Sequence, residues 1–598
     1  MSIKPENLNV VLATDCGSTT TKAVMFEKTT AGWRQTFRGE APTTVEKPIA
    51  DVTIGVRNSF LEVQELSGRK ILNDNEIPIE KRDGANGIDL YVSTSSAGGG
   101  LQMIVAGVVG NLSAASAERA ALGAGAIVMD TIAADDGRES FERVQKIRHL
   151  RPDIVLISGG TENGNSELLL ELCETILQAD PRPRFGETLT LPIIFAGNSS
   201  AAASAREILG KKFEFVEVKN LRPALDKESL ETARDAVHDL FLEHVMSHAP
   251  GYSKLLTWSP VPILPTPGAV GDMVLSAAKK WNLQILAVDI GGATTDVFSV
   301  FKSANEPVFN RTVSANLGMS YSVANVLLEA GESNILRWLP FELSGAELVD
   351  RLRNKMIRPT SIPYLLDDLL VEQAVCREAL RLAFGHHKRL AVGLVDLKRK
   401  SSIGDIFKQG LSKNLVDLLK LDLIIGSGGV ISHAPSRKSA AFMLLDSYQP
   451  EGVTRLAVDS IFMMPHLGVF ASVHPEAAAE IFTKDCLVSL GTVIAPMGKI
   501  NTGQKLAEVF WGSKREKIIG GEIKVIELSD EVEIKVVPEN RFVDVGAGPG
   551  KTLEAKAFGG EAGLILDGRG RPIVFEKDPI LRMKQQQSWY RSFGISWA

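Results

Sequence analysis

Cysteine is scarce in this chain of 598 residues: Cys16, Cys173, Cys376 and Cys486 are far apart, with no Cys-x-x-Cys spacing. That scarcity argues against a disulfide framework or a zinc knuckle and fits a reducing cytoplasm. A basic excess is also missing. Lys plus Arg is 66 against Asp plus Glu at 72, a net of −6, which argues against the clustered positive charge of a nucleic-acid binder. Long apolar runs are lacking too. The uncharged stretch 93–117 is broken by Ser, Gly and Asn, and 255–271 carries four prolines. Neither offers the roughly 20 continuous apolar residues of a membrane span. The opening MSIKPENLNVVLATD lacks the basic region, apolar core and cleavage site of a signal peptide. The expectation is a soluble cytoplasmic protein, with length enough for about four domains or lobes.

What the chain has in quantity is glycine, at 53 residues, clustered after apolar β-branched runs. NVVLATDCGS, DIVLISGGT, PIIFAGNSS, QILAVDIGGAT and DLIIGSGGV share one pattern, a buried strand followed by small residues. Such strands belong to sheets covered on both faces, with the loops of interest at their carboxyl ends. Helix-like stretches, such as 228–248 and 372–384, lie between them. The expected fold class is α/β.

Self-similarity divides the chain further. Asp15-Cys-Gly17-Ser18-Thr19-Thr20-Thr21-Lys22 aligns without gaps onto Asp289-Ile-Gly291-Gly292-Ala293-Thr294-Thr295-Asp296. Each follows a strand and precedes another, as in a hairpin with a tight Gly/Thr turn used twice. A second pair, 153–160 and 422–429, follows at nearly one spacing. Two related lobes over 1–250 and 251–500 are therefore expected. Residues 85–220, with LYVST, MIVAGVV, AIVMD, DIVLIS, PIIFAG and FEFVEV, suggest an open parallel sheet inserted in the first lobe. The tail 501–598 alternates apolar and charged residues, and GLILDGRGRPIVF predicts a hairpin around Gly-Arg-Gly. This tail is expected to form a small β module.

The paired turns carry the chemistry. A turn with Gly beside Ser or Thr presents backbone N–H groups and hydroxyls to an anion, and Gly admits close approach. Two facing turns, each preceded by an aspartate at a strand end, make a polyphosphate clamp. Asp15 and Asp289 then hold waters of a magnesium ion, which favours one or two carboxylates plus phosphate oxygens. Lys22 adds positive charge on one side only, since its counterpart is Asp296.

Here the chain resembles the actin, Hsp70 and sugar-kinase superfamily. The hairpins look like its phosphate-1 and phosphate-2 motifs, IIGSGGVIS like its adenosine motif, and PTPGAVGDMVLSAAKKW and MMPHLGVFASVHPEAA like its connecting helices. The resemblance implies two RNase-H-like lobes closing on ATP and magnesium. It assigns the phosphates to Gly17, Ser18, Thr19, Thr20, Lys22, Gly291, Gly292, Ala293, Thr294 and Thr295, and the adenosine to Gly426, Ser427, Gly428 and Gly429. More narrowly, VLATDCGSTTTKAVMF, DIVLISGGTENGN, LAVDIGGATTDVFSV, MMPHLGV and GLILDGRGRPI resemble the MutL/GlmL family, accessory to glutamate mutase and related adenosylcobalamin enzymes, and distinct from mismatch-repair MutL. This implies a reactivating chaperone that couples slow ATP hydrolysis, with ADP as product, to remodelling of a mutase. Asp15 and Asp289 are the catalytic candidates, one as base and one as metal holder, in either order. A small-molecule kinase, or an ATP-binding scaffold or filament subunit, is the alternative on the same lobes.

Other positions point to plainer roles. Residues 546–552 approach a P-loop, but Val545 stands where it needs Gly, so a surface turn is expected. His244 and His248 are a helical turn apart without a third ligand, and 398–402 suggests a solvated basic loop. His386-His387 suits a helix C-terminus, where imidazolium complements the dipole. No histidine lies in the Asp-x-His-x-x-Gly frame of a mutase-type cobalamin domain, so the inserted sheet is not expected to bind cobalamin by that route. The cysteines lack the context of an iron–sulfur dehydratase activator.

Overall fold

The computed structural model describes residues 3–17, 19–79, 83–96, 101–184, 190–241, 243, 249–303, 306–394 and 412–597. The chain is α/β. Its contacts gather into two compact units: Met1–Met273 with Val392–Lys413 and Met463–Lys484, and Val274–Ala391 with Asn414–Phe462 and Asp485–Ala598. Ser18, His244, His248 and 398–402 lie outside the described residues. No helix among the described residues is long and apolar enough to cross a membrane.

The first unit is built on β1 (Val10–Cys16), β2 (Thr20–Thr29), β3 (Gly32–Pro42) and β4 (Leu90–Ser95). β1 to β3 form an antiparallel meander, and β4 runs parallel to β1 on its other side. All seven residues of β1 and all six of β4 are buried, as befits strands covered on both faces. Helix α1 (Val52–Ser67) covers one face with Val52, Val56, Phe60 and Val63. Asp51 starts it by accepting from the Thr53 N–H, and Gly68, in the left-handed region, stops it.

An inserted sheet holds β5 (Gln102–Gly107), β6 (Ile127–Ala133), β7 (Ile154–Ser158), β8 (Pro192–Phe195) and β9 (Glu214–Glu217), all parallel, in the order β6-β5-β7-β8-β9. Helices α2 (Ala115–Gly123) and α6 (Glu231–Leu240) pack on the face of Val105, Leu156 and Ile194. Helices α3 (Ser140–Leu150), α4 (Glu167–Ala179) and α5 (Ala202–Leu209) pack on the face of Ile104, Val155 and Ile193. LYVST was expected here, but it is β4 and pairs with β1, because both its faces are covered by the lobe's own core. β10 (Leu264–Pro265) closes the lobe sheet beside β4.

The second unit repeats the plan. β11 (Ile285–Ile290), β12 (Thr295–Ser303) and β13 (Glu306–Ser314) form the meander. β14 (Leu423–Ser427) lies parallel to β11, and β15 (Gly452–Asp459) parallel to β14. The strand order β3-β2-β1-β4-β10 is thus matched by β13-β12-β11-β14-β15, the RNase-H-like arrangement. The structural counterpart of β14 is β4, not β7. The second repeat drawn from 153–160 is therefore wrong, because a covered parallel strand ending in a Ser-Gly-Gly turn arises independently in both sheets.

The second sheet continues through β16 (Leu487–Ala495). Of the tail, β17 (Lys505–Trp511), β18 (Lys514–Ile519), β20 (Val532–Pro538) and β21 (Leu553–Ala557) form a four-stranded antiparallel sheet. β19 (Ile523–Ile526) and β22 (Gly563–Asp567) instead extend the large one. The hairpin expected in GLILDGRGRPIVF does not form. Arg569 turns inward after β22, bonding Asp567 and Asp446, while Arg377 donates to Asp446 and Arg571 to Asp567. Burial disfavours the Asp567 carboxylate, but Arg569 and Arg571 hold it well below the ordinary range.

Candidate functional site

The two hairpins share one geometry. In β1–β2, Asp15 is the Cα partner of Lys22 and Cys16 of Thr21. In β11–β12, Asp289 is the partner of Asp296 and Ile290 of Thr295. The Gly17 N–H donates to Thr20 O at 3.1 Å, and the Gly291 N–H to Thr294 O at 2.9 Å. Each turn is braced from behind through its carbonyls. Thr43 donates its N–H to Thr19 O and its hydroxyl to Gly17 O. Met319 and Ser320 donate their N–H groups to Gly291 O and Gly292 O. Among the described residues, no acceptor meets the N–H groups of Thr19, Gly292, Ala293 and Thr294. Turns with tied carbonyls and amides left over are of the kind that can take an anion.

The aspartates differ. Asp15 is 2 % exposed, and its Oδ1 accepts from Thr94 Oγ1 at 2.8 Å and Thr266 Oγ1 at 2.5 Å. Thr266 opens the helix Thr266–Trp281. Asp289 ends β11 half-buried. Lys22 reaches Glu40 at 3.9 Å. Asp296 is buried and receives both Nε and Nη2 of Arg311; burial nevertheless raises its pKa above the ordinary value. The Cys16 thiol, sealed beneath the first turn beside Asp15, is pushed up to about 12 and is inert.

Gly428 follows β14, and Asp289 is the partner of Ser427. A Cβ on Gly428 would lie 2.1 Å from Ile290 O, and its φ is +103°. Glycine is therefore required there by the neighbouring strand. Gly429 faces open space, while a Cβ on Gly426 would crowd Ile431 and Leu444.

The second unit thus brings together Asp289, the turn Gly291–Thr294, Ser427 and Gly428. It also adds Asp459, which motif reasoning missed. Asp459 ends β15, is fully buried, and accepts from Ser427 Oγ at 3.4 Å and the Ile461 N–H at 3.3 Å. Its signal was present: Leu286-Ala-Val-Asp289 recurs as Leu456-Ala-Val-Asp459. The two tetrapeptides run in register on either side of β14, with Leu286 and Leu456 both partnered to Ile424.

Two other expectations resolve here. The 546–552 segment is a turn with no following helix, and Asp544 Oδ1 already accepts from the Gly546 and Gly548 N–H groups. His387 does lie in the last turn of the helix Leu366–Leu390, but not as imidazolium. It is fully buried between Thr312 and Ser299, and burial lowers its pKa to about 3. Among the described residues no group of three or more His, Cys, Asp or Glu is placed to hold a metal by itself.

The family model "MutL protein" matches residues 11–486. Protein MutL of Clostridium tetanomorphum is 27 % identical over 501 residues, covering 80 % of this chain and 99 % of that protein. Among solved structures, gluconate kinase from Lactobacillus acidophilus aligns with a TM-score of 0.30 and 12 % identity, over 80 % of this chain and 92 % of the other. The activator of 2-hydroxyisocaproyl-CoA dehydratase from Clostridium difficile, with bound ADPNP, aligns with a TM-score of 0.26 and 8 % identity, over 79 % and 96 %.

Proposed function

Since the chain belongs to the MutL protein family, we propose that it is an ATP-dependent reactivating chaperone for an adenosylcobalamin-dependent mutase, working in the cytoplasm. The observation that carries the ATP site is the duplicated turn: the same register twice, carbonyls tied back, and amides at Thr19 and Gly292–Thr294 left to meet phosphate oxygens. Lys22 adds a cation beside the first turn. Magnesium suits this donor set, because one or two carboxylates suffice where phosphate supplies the remaining ligands. When bound, the metal would neutralise charge on the phosphates.

The residues divide the work. The Asp15 Oδ1 is engaged by two hydroxyls, so this group is a rigid strut beside the first turn. Asp289, half-buried, is the better group to hold the metal's waters and the attacking water. Gly428 and Gly429 form the turn for the adenosine side. Two lobes that favour different closures with ATP and ADP shift a bound partner by differential affinity. The partner read from the family resemblance is a mutase whose damaged cofactor is trapped.

The test is to inactivate a cognate mutase during turnover, then add this protein, magnesium, ATP and fresh adenosylcobalamin. Activity should return with ATP and not with the Asp289→Ala variant. Phosphorylation of a small metabolite, with no recovery of any cognate mutase, would establish a kinase instead.

A further inference from the structure

The proposed ATP site leaves the inserted sheet without a role. The chain leaves β5 toward α2 on one face and leaves the adjacent β7 toward α4 on the other. Parallel neighbours whose connections part in this way leave a crevice outside their carboxyl ends, where open α/β sheets take their ligands.

Independent features mark this spot. The last cross-strand pair of β5 and β7 is Gly107 and Ser158. Strand alternation sets Ser158 on the face of Ile154 and Leu156, yet its Oγ is buried with no hydrogen-bond partner. A buried hydroxyl left unpaired is uncommon and calls for an explanation. β5 runs into a π-turn, Gly110–Ala114, a rare form that concentrates at functional sites. The loop after β7 is braced from below. Asn198 and Asn220, both buried, donate to Gly164 O and Gly160 O, and Ser199 and Asn220 donate to the Glu162 carboxylate.

The charges narrow the ligand. Residues 108–114 carry none, and 159–166 carry only Glu162. Arg119 and Arg222, on the α2 face, are both engaged by Glu228. An anionic ligand finds no uncommitted cation in these loops. A neutral one rich in N–H and O–H donors finds a carboxylate, a hydroxyl and two glycine-bearing turns.

We infer that this crevice binds a ligand without net negative charge that bears amides and hydroxyls. Resting on the function proposed above, that ligand is the corrinoid in exchange, with neutral amides on its rim, or the nucleoside released from it, with ribose hydroxyls. Neither 108–114 nor 159–166 contains a histidine, so neither loop would offer a replacement for the lower base of a corrinoid.

The experiment is equilibrium dialysis of the full chain, with saturating magnesium and ATP, against hydroxocobalamin, 5′-deoxyadenosine and inorganic phosphate in separate arms. It is repeated with Ser158→Ala and Glu162→Gln, with melting temperatures measured alongside. Saturable binding of hydroxocobalamin or the nucleoside is expected, at least fivefold weaker in both variants at unchanged melting temperature. A bound cobalamin should keep its base-on spectrum. Absence of binding in both of those arms, equal binding by wild type and both variants, or binding of phosphate alone would overturn the inference. Mutase reactivation without ligand binding sinks this inference and leaves the chaperone reading intact. Binding to the wild type that weakens in both variants, with no cognate mutase reactivated, does the reverse.

Discussion

The two hairpins are near copies in backbone and opposites in charge. Asp15 and Asp289 occupy the same register beside Thr94 and Ser427, which are themselves equivalent positions on β4 and β14. In the first unit the neighbouring hydroxyl turns to the aspartate, whereas in the second it turns away to Asp459. Across the hairpin, Lys22 of the first is replaced by Asp296, whose charge Arg311 engages within the sheet. The repeat has kept the turn that exposes amides and changed the charges, with a cation across from Asp15 in the first hairpin and a carboxylate across from the half-buried Asp289 in the second.

Removing the aspartates breaks this comparison most strongly. Asp289→Ala should lower magnesium-dependent phosphate release at least tenfold with an unchanged melting temperature, since its main effect is electrostatic. Asp15→Ala should also lower turnover, but it strands the buried Thr266 hydroxyl and leaves Thr94 Oγ1 only its 3.4 Å bond to Thr14 O, costing about 1–3 kcal/mol of stability. Asp15→Asn, which can still accept from them, should recover most of that stability. Equal stability of the alanine and asparagine variants would refute the strut role of Asp15. Wild-type turnover in both alanine variants would remove the site.

The turn proposed for the adenosine sharpens the contrast on a smaller scale. Gly429→Val adds its side chain in open space, so it should weaken ATP binding severalfold, measured by titration, without loss of stability. Gly428→Val is a different experiment. Its Cβ collides with Ile290 O at a left-handed φ, so it should destabilise the second sheet whether or not nucleotide is present. Normal affinity in Gly429→Val would mean that the turn does not receive the nucleotide.

How far these features were legible in sequence depended on their locality. The hairpin repeat was readable because strand, turn and strand are contiguous and the register follows from eight aligned residues. The equivalence of β4 and β14 was hidden, since LYVST carries no glycine pair while 153–160 matched the motif by convergence. Asp459 was missed because its meaning depends on β14 lying between two LAVD strands. The inward turn of Arg569 depends on Asp446, more than a hundred residues earlier. Solvent exposure and the hydroxyls that reach each carboxylate were equally out of reach, and both distinguish Asp15 from Asp289.

The second hairpin carries an acid sensitivity specific to its own histidine. His387 bonds Ser299 on β12 and Thr312 on β13 while neutral. Its pKa is about 3 folded and about 6.5 unfolded, so below pH 6.5 the unfolded chain binds the extra proton. Stability from this group is intact above that pH and falls by about 1.4 kcal/mol per unit below it. Melting temperatures from pH 7 to pH 5 should drop more steeply in wild type than in His387→Gln, although the variant starts lower. Parallel slopes would show that His387 is not held neutral.

The smallest expected effect lies in the tail. Residues 546–552 end in Gly-Lys-Thr, so Lys551 is the residue a P-loop reading would place on a phosphate. Three observations oppose that role. No helix follows the turn, so no helix dipole points at it. The amides of Gly546 and Gly548, which would cradle a phosphate, already donate to Asp544 Oδ1 at 2.8 and 3.1 Å. A carboxylate in that position also repels a phosphate by like charge. Lys551→Ala should therefore leave ATP turnover and affinity within about twofold of wild type, an exposed lysine being worth little on its own. A tenfold loss in phosphate release would move the nucleotide from the paired hairpins to the tail.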